Sequence, residues 1–114
     1  MSYILTLNSD NFCGEVLEFI KPVLVQFSAC WNSACYYQRY TLEQFAEINI
    51  GKVKVCDLDI DNFPQLSSQY NISIVPTLIF FNNKKRLHSR LGRTDLGILN
   101  QLLKIIILYN EYSI

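Results

Sequence analysis

No Cys-x-x-Cys pair occurs in this chain of 114 residues, which also has only one histidine, four glycines and three prolines. With His88 alone and four irregularly spaced cysteines (Cys13, Cys30, Cys35 and Cys56), neither a zinc site nor a secreted disulfide framework is expected. Charge of either sign is also not in excess. Lys+Arg and Asp+Glu stand at ten each, so no net field favours nucleic acid or anionic lipid. The basic run Lys84-Lys85-Arg86 lies between two strand-like segments and reads as a solvated turn. The longest apolar run, Ile105 to Leu108, falls far short of the roughly twenty residues a membrane span needs. Met1 to Leu7 is short, alternating and without a basic leader, so a soluble, cytoplasmic protein is expected, with no membrane partner.

Half the residues are hydrophobic, including seven Phe and seven Tyr, which suffices for one packed domain over residues 1–114. Tyr3 to Leu7 reads as a strand. Ser9-Asp10-Asn11 is the expected cap of a helix carrying Phe12, Val16, Leu17 and Ile20 at helical spacing, ended by Pro22. Val23 to Ala29 has the near-continuous apolar character of a strand buried on both faces. A long helix is predicted from Ala34 to about Ile50, with Leu42, Phe45, Ala46 and Ile48 apolar and Gly51 as its stop. Val53 to Leu58 is the next strand, and a short helix follows from Asp61-Asn62-Phe63-Pro64 to Tyr70. Ile74 to Phe81 and Arg86 to Leu91 flank a hairpin turn at Asn82-Asn83-Lys84-Lys85. Thr94 or Asp95 caps a last helix with Leu96, Leu99, Leu102, Leu103 and Ile106 on one side. The order β-α-β-α-β-α-β-β-α predicts an α/β fold. It implies a central mixed sheet of about five strands flanked by four helices.

The chemistry centres on Val23 to Cys35, where an apolar strand runs through Trp31 into the turn Asn32-Ser33-Ala34-Cys35. Four features in order resemble the thioredoxin family over nearly the whole chain. They are the strand Val23 to Trp31, the turn 32–35 in place of Cys-Gly-Pro-Cys, the segment Asp59-Ile60-Asp61, and Ile74-Val75-Pro76-Thr77 with Gly92 beyond it. The resemblance implies the thioredoxin fold, thiol–disulfide exchange, no cofactor and no metal. It also implies protein or peptide clients, thioredoxin reductase as a partner if the chain is redox-active, and a monomer.

In such a site the first cysteine sits at a helix N-terminus, where the dipole and free N–H groups hold its pKa at about 7. It attacks the target disulfide, and a second, more buried cysteine resolves the mixed disulfide. Here the attacking position is Asn32, an amide. The position resembling the family's buried Asp is Gln26, which takes no proton at neutral pH, and Gly-Pro has become Ser33-Ala34. Cys35 is left either as an inert, packed thiol, as a lone thiol open to mixed disulfides or oxidation, or as the partner of Cys30. A Cys30–Cys35 bridge needs Cα atoms within roughly 7 Å. Cys56 reads as core, Cys13 as an exposed thiol and His88 as a surface or edge residue.

Pro76 resembles the family's cis-proline, beside which an extended target adds as a strand. Trp31, Ile74, Val75, Pro76 and Gly92 would then form a substrate-binding face around Asn32. Two functions compete. One is a redox-impaired protein that binds clients through this face; the other is a non-standard oxidoreductase using Cys35 alone or with Cys30. A glutaredoxin-like role ranks below both, since it needs a cysteine at position 32. The tail Ile105 to Ile114 is more apolar than a free helix end requires. Packing of the last helix explains most of it, with self-association through Tyr109, Tyr112 or Ile114 as the alternative.

Overall fold

A computed structural model describes residues 2–112. Five strands form one mixed sheet: β1 (Ile4–Thr6), β2 (Val23–Ser28), β3 (Lys54–Asp59), β4 (Thr77–Asn82) and β5 (Lys85–Leu91). Their order across the sheet is β1-β3-β2-β4-β5. β2 pairs in parallel with β3 and antiparallel with β4, which makes it the middle strand and explains why all six of its residues are buried. Three α-helices cover the sheet: α1 (Ser33–Ile48), α2 (Pro64–Gln69) and α3 (Leu96–Tyr112).

Side chains alternate across the sheet, so neighbouring residues of β2 serve different layers. Leu24 packs with Leu42 and Phe45 of α1, Val55 of β3, and Leu99, Leu103 and Ile106 of α3. Val23, Val25 and Phe27 pack on the other face with Phe12, Val16, Cys56, Leu58 and Phe81. Gln26 and Ser28 therefore share the α1 face with Leu24. Asp57, in register with Gln26, shares it with Val55.

The first predicted helix is the main departure. Cys13–Leu17 forms a π-helical turn in place of a regular helix, closed by the Glu18 N–H on the Cys13 carbonyl at 3.0 Å. Asn8 and Asn11 together, not Ser9 or Asp10, organise its start, the Asn11 Oδ1 accepting the Asn8 N–H at 2.7 Å. The Asn8 Oδ1 accepts from the backbone N–H groups of Asp10 and Asn11, each at 2.8 Å. Ile20 lies past the turn and is 84% exposed, so it joins no apolar face.

Other boundaries moved less. α1 ends at Ile48 because Asn49 takes over the C-terminal bonding. Its backbone and side-chain N–H groups both donate to the Phe45 carbonyl, and Nδ2 also donates to Asn100 Oδ1. Ile48 and Ile50 consequently face solvent. β4 begins at Thr77 and not at Ile74, since Pro76 brings no N–H to a ladder. The hairpin is a two-residue turn, with Asn83 and Lys84 both at positive φ (52° and 66°) as a primed turn requires. Asp95, rather than Thr94, caps α3 by accepting from Ile98 N–H at 2.9 Å. Near the end of α3, Ile106 is buried while Tyr109 and Tyr112 are exposed; Ile114 lies outside the described residues.

Candidate active site

The end of β2 delivers the chain into a tight turn at the head of α1. The Asn32 N–H donates to the Ala29 carbonyl at 3.1 Å, and Asn32 is the N-cap of the helix. Its Oδ1 accepts the Cys35 N–H at 3.0 Å, satisfying one of the donors a helix start leaves free. Cys35 sits beneath this cap and is 5% exposed. Burial pushes its thiol upward. A backbone hydrogen bond from Ala29 opposes this, and the charge of Asp57 adds to it.

Gln26, Cys30, Asn32, Cys35, Arg39, Asp57 and Asp59 line a cavity of about 300 Å³ at this point, with Ser28, Ala29 and Tyr36. Asp57 was not singled out in the sequence, yet it is the most constrained charge in the site. Gln26 Nε2 donates to its Oδ1 at 2.9 Å, and the Ser28 hydroxyl lies 2.9 and 3.0 Å from its two oxygens. Burial raises the Asp57 carboxyl above the ordinary range. The Gln26 and Ser28 bonds and the Arg39 charge hold it back, while Asp59 pushes it further up. Asp57, between Cys56 and Leu58 in a strand that also carries Lys54 and Asp59, gave no distinct signal in the sequence, and its register against Gln26 was not legible there.

The residues predicted to bind a target are arranged as follows. Trp31 is 67% exposed, its indole N–H held by Asp61 Oδ2 at 2.8 Å. The Val75–Pro76 peptide is cis, Pro76 is buried, and Ile74 is exposed beside it. Gly92, at φ 78°, donates its N–H to the Pro76 carbonyl at 2.8 Å. A positive φ is cheap for glycine alone, which accounts for the residue type there. The Ile74 carbonyl accepts from the Thr77 hydroxyl at 2.7 Å, so the segment just ahead of β4 is fixed without ladder bonds.

The remaining candidates separate from this site. Cys56 points into the opposite layer, fully buried, its thiol pushed up to about 12 by burial. Cys13 is exposed on the π-helical turn, and His88 is exposed on the edge strand β5. All four cysteines are free thiols.

Gln38 was also missed from sequence. Fully buried in α1, it donates to the Thr94 carbonyl at 2.9 Å and accepts the Thr94 N–H at 2.7 Å. This clamp fixes the loop that follows Gly92 against the helix carrying Cys35.

Comparison with known proteins decides the family. The thioredoxin family model matches residues 3–104. The chain belongs to the thioredoxin family. It is 38% identical to a thioredoxin of Alicyclobacillus acidocaldarius over 88 residues, covering 77% of this chain and 83% of that protein. It is 33% identical to thioredoxin 1 of a Nostoc species over 104 residues, 91% of this chain and 97% of the relative. It is also similar to the chloroplastic M-type thioredoxin of Spinacia oleracea, at 35% identity over 86 residues, 75% of this chain and 48% of the relative. The observed sheet and helices are those of an α/β thioredoxin fold. Members of the thioredoxin family carry out thiol–disulfide redox chemistry on protein substrates. Among the described residues, no helix is long and apolar enough to cross a membrane.

Proposed function

We propose that this thioredoxin-family protein is redox-impaired and acts by docking an extended segment of a client protein on the face formed by Trp31, Ile74, Val75, Pro76 and Gly92. The observation that carries this reading is the use of Asn32. The residue in the nucleophile's place is an amide whose oxygen is spent on capping α1. Two-thiol turnover therefore has no first step. The docking face keeps its parts: an exposed indole, an exposed Ile74, and Pro76 bonded to Gly92. Backbone ahead of β4 lies outside the sheet ladder, which suits pairing with an added strand. Four unpaired thiols fit a reducing compartment such as the cytoplasm, and the protein is read as a monomer.

Calorimetric titration with an extended client peptide tests this reading. Trp31→Ala and Pro76→Ala should each weaken binding about tenfold or more, a loss of about 1.4 kcal/mol. Cys35→Ser should bind as the wild type does. Binding that disappears with Cys35→Ser, or under reductant, would overturn it.

A second reading is supported by the shared cavity of Cys30 and Cys35. In it the chain is a non-standard oxidoreductase using Cys35 alone or with Cys30, and thioredoxin reductase becomes a partner. Its mark would be disulfide reduction that Cys35→Ser abolishes.

A further inference from the structure

β2 carries an amide where an acid would serve the buried thiol, but the neighbouring strand supplies a carboxylate at the same height. Gln26 and Asp57 are register partners in the parallel β2–β3 ladder, and both side chains lie on the α1 face. The Gln26 amide and the Ser28 hydroxyl both engage the Asp57 carboxylate, at 2.9 to 3.0 Å. Gln26 is 1% exposed, and its Oε1 has no hydrogen-bond partner among the described residues. It lines the same cavity as Cys35 and Asp57.

We propose that Asp57 is the proton acceptor and donor for the Cys35 thiol, the carboxyl group having its seat on β3 instead of β2, with Gln26 as the amide that holds it in either protonation state. A primary amide has both kinds of hydrogen-bonding atom. Its N–H₂ serves the carboxylate as observed. Turned over, its free oxygen accepts from the carboxylic acid.

The surroundings fit a group that changes protonation. Arg39, Cys35 and Tyr36 face the cavity from α1, Asp59 from β3 and Cys30 from the turn. Arg39 favours the Asp57 anion, while burial and Asp59 disfavour it. A carboxyl raised from its ordinary range is better matched to general-base work near neutral pH.

In reaction with a disulfide, the Cys35 sulfur bonds to one sulfur of that disulfide as its S–S bond breaks. The Cys35 proton passes to Asp57 and from there to the departing thiolate. The disulfide is the oxidant, and the half that leaves is reduced to a thiol. This role goes beyond client docking and does not depend on it.

The test is the reaction of folded protein with a dipyridyl disulfide, followed by release of the coloured thione. A Cys13→Ser/Cys30→Ser background leaves Cys35 as the thiol on the cavity, Cys56 being sealed in the opposite layer. At neutral pH, Asp57→Asn should slow the reaction about a hundredfold, the low end for loss of a general base. A purely electrostatic role predicts the opposite, because removing a nearby anion favours the thiolate. An unchanged or faster rate therefore overturns the proposal. Ser28→Ala provides the second arm. It keeps the carboxyl and removes a bond to its charged form, so the pH at which the rate rises should move upward. If that pH does not move, the proposal is overturned independently of how well Asp57→Asn folds.

Discussion

The Oδ1 of Asn32 accepts the backbone N–H of Cys35 at 3.0 Å, so the residue we propose to stand in the nucleophile's place closes the first turn of α1. The positive end of the helix, which would hold a thiolate in a two-cysteine site, is met by a neutral amide. The Asn32 side chain thus has a structural use as the cap of α1.

Removing that use should be measurable. Asn32→Ala is expected to lower stability by about 1 kcal/mol, the usual worth of a side-chain N-cap, while Asn32→Asp should retain it. Urea denaturation of the two variants beside the wild type checks this. Asn32→Cys should also gain insulin-disulfide reduction relative to the wild type, since a nucleophile would then precede Cys35.

Asp57 makes stability depend on pH. Its carboxyl is raised in the folded state, so the folded chain holds that proton more tightly than the unfolded chain does. The contribution is full below the ordinary carboxylate range and is lost as pH rises from there through the folded value. Asp57→Asn has no proton to lose. Its stability relative to wild type should therefore increase from acid toward neutral pH, as urea midpoints at the two ends would show.

Gln38 should be the costliest polar residue of α1 to replace. Gln38→Leu keeps the volume but strands the Thr94 N–H and carbonyl, which it now satisfies at 2.7 and 2.9 Å. A loss of about 2 to 6 kcal/mol is expected, about 1 to 3 kcal/mol for each of the two buried groups left unsatisfied. Gln38→Glu, which retains an acceptor, should lose less if it takes up a proton.

The four thiols should be alkylated in separate classes set by their exposure. Cys13 and Cys30 are exposed and should be alkylated rapidly in the folded protein. Cys35 is 5% exposed beneath the Asn32 cap and should react more slowly. Cys56, fully buried with its thiol raised to about 12, should be labelled only after unfolding. Mass spectrometry of timed alkylation reads all four.

Much of the architecture was legible because hydrophobic periodicity and turn chemistry are local. The apolar run at β2, the proline ahead of β4 and the Asn83-Lys84 turn each carry their own signal. The first helix misled because Phe12, Val16 and Leu17 fit a helical period over too few residues to distinguish an α-helix from a π-turn. Ile20 extended the pattern in sequence alone; in the fold it is exposed.

The site was legible only along the chain. Trp31, Asn32 and Cys35 announce themselves by adjacency, whereas Asp57 enters through the register of two strands thirty-one positions apart at Gln26. Read singly, Gln26 means a missing acid. Paired with Asp57, it is that acid's hydrogen-bond donor. Gln38 was hidden for a similar reason, its partner Thr94 lying 56 residues away.

Insulin-disulfide reduction under dithiothreitol, comparing wild type, Cys35→Ser and a blank without protein, bears most directly on the claim that two-thiol turnover is gone. The account predicts that the wild type reduces insulin no faster than the blank. Turnover above the blank that disappears in Cys35→Ser would contradict it and make Cys30 the next residue to replace.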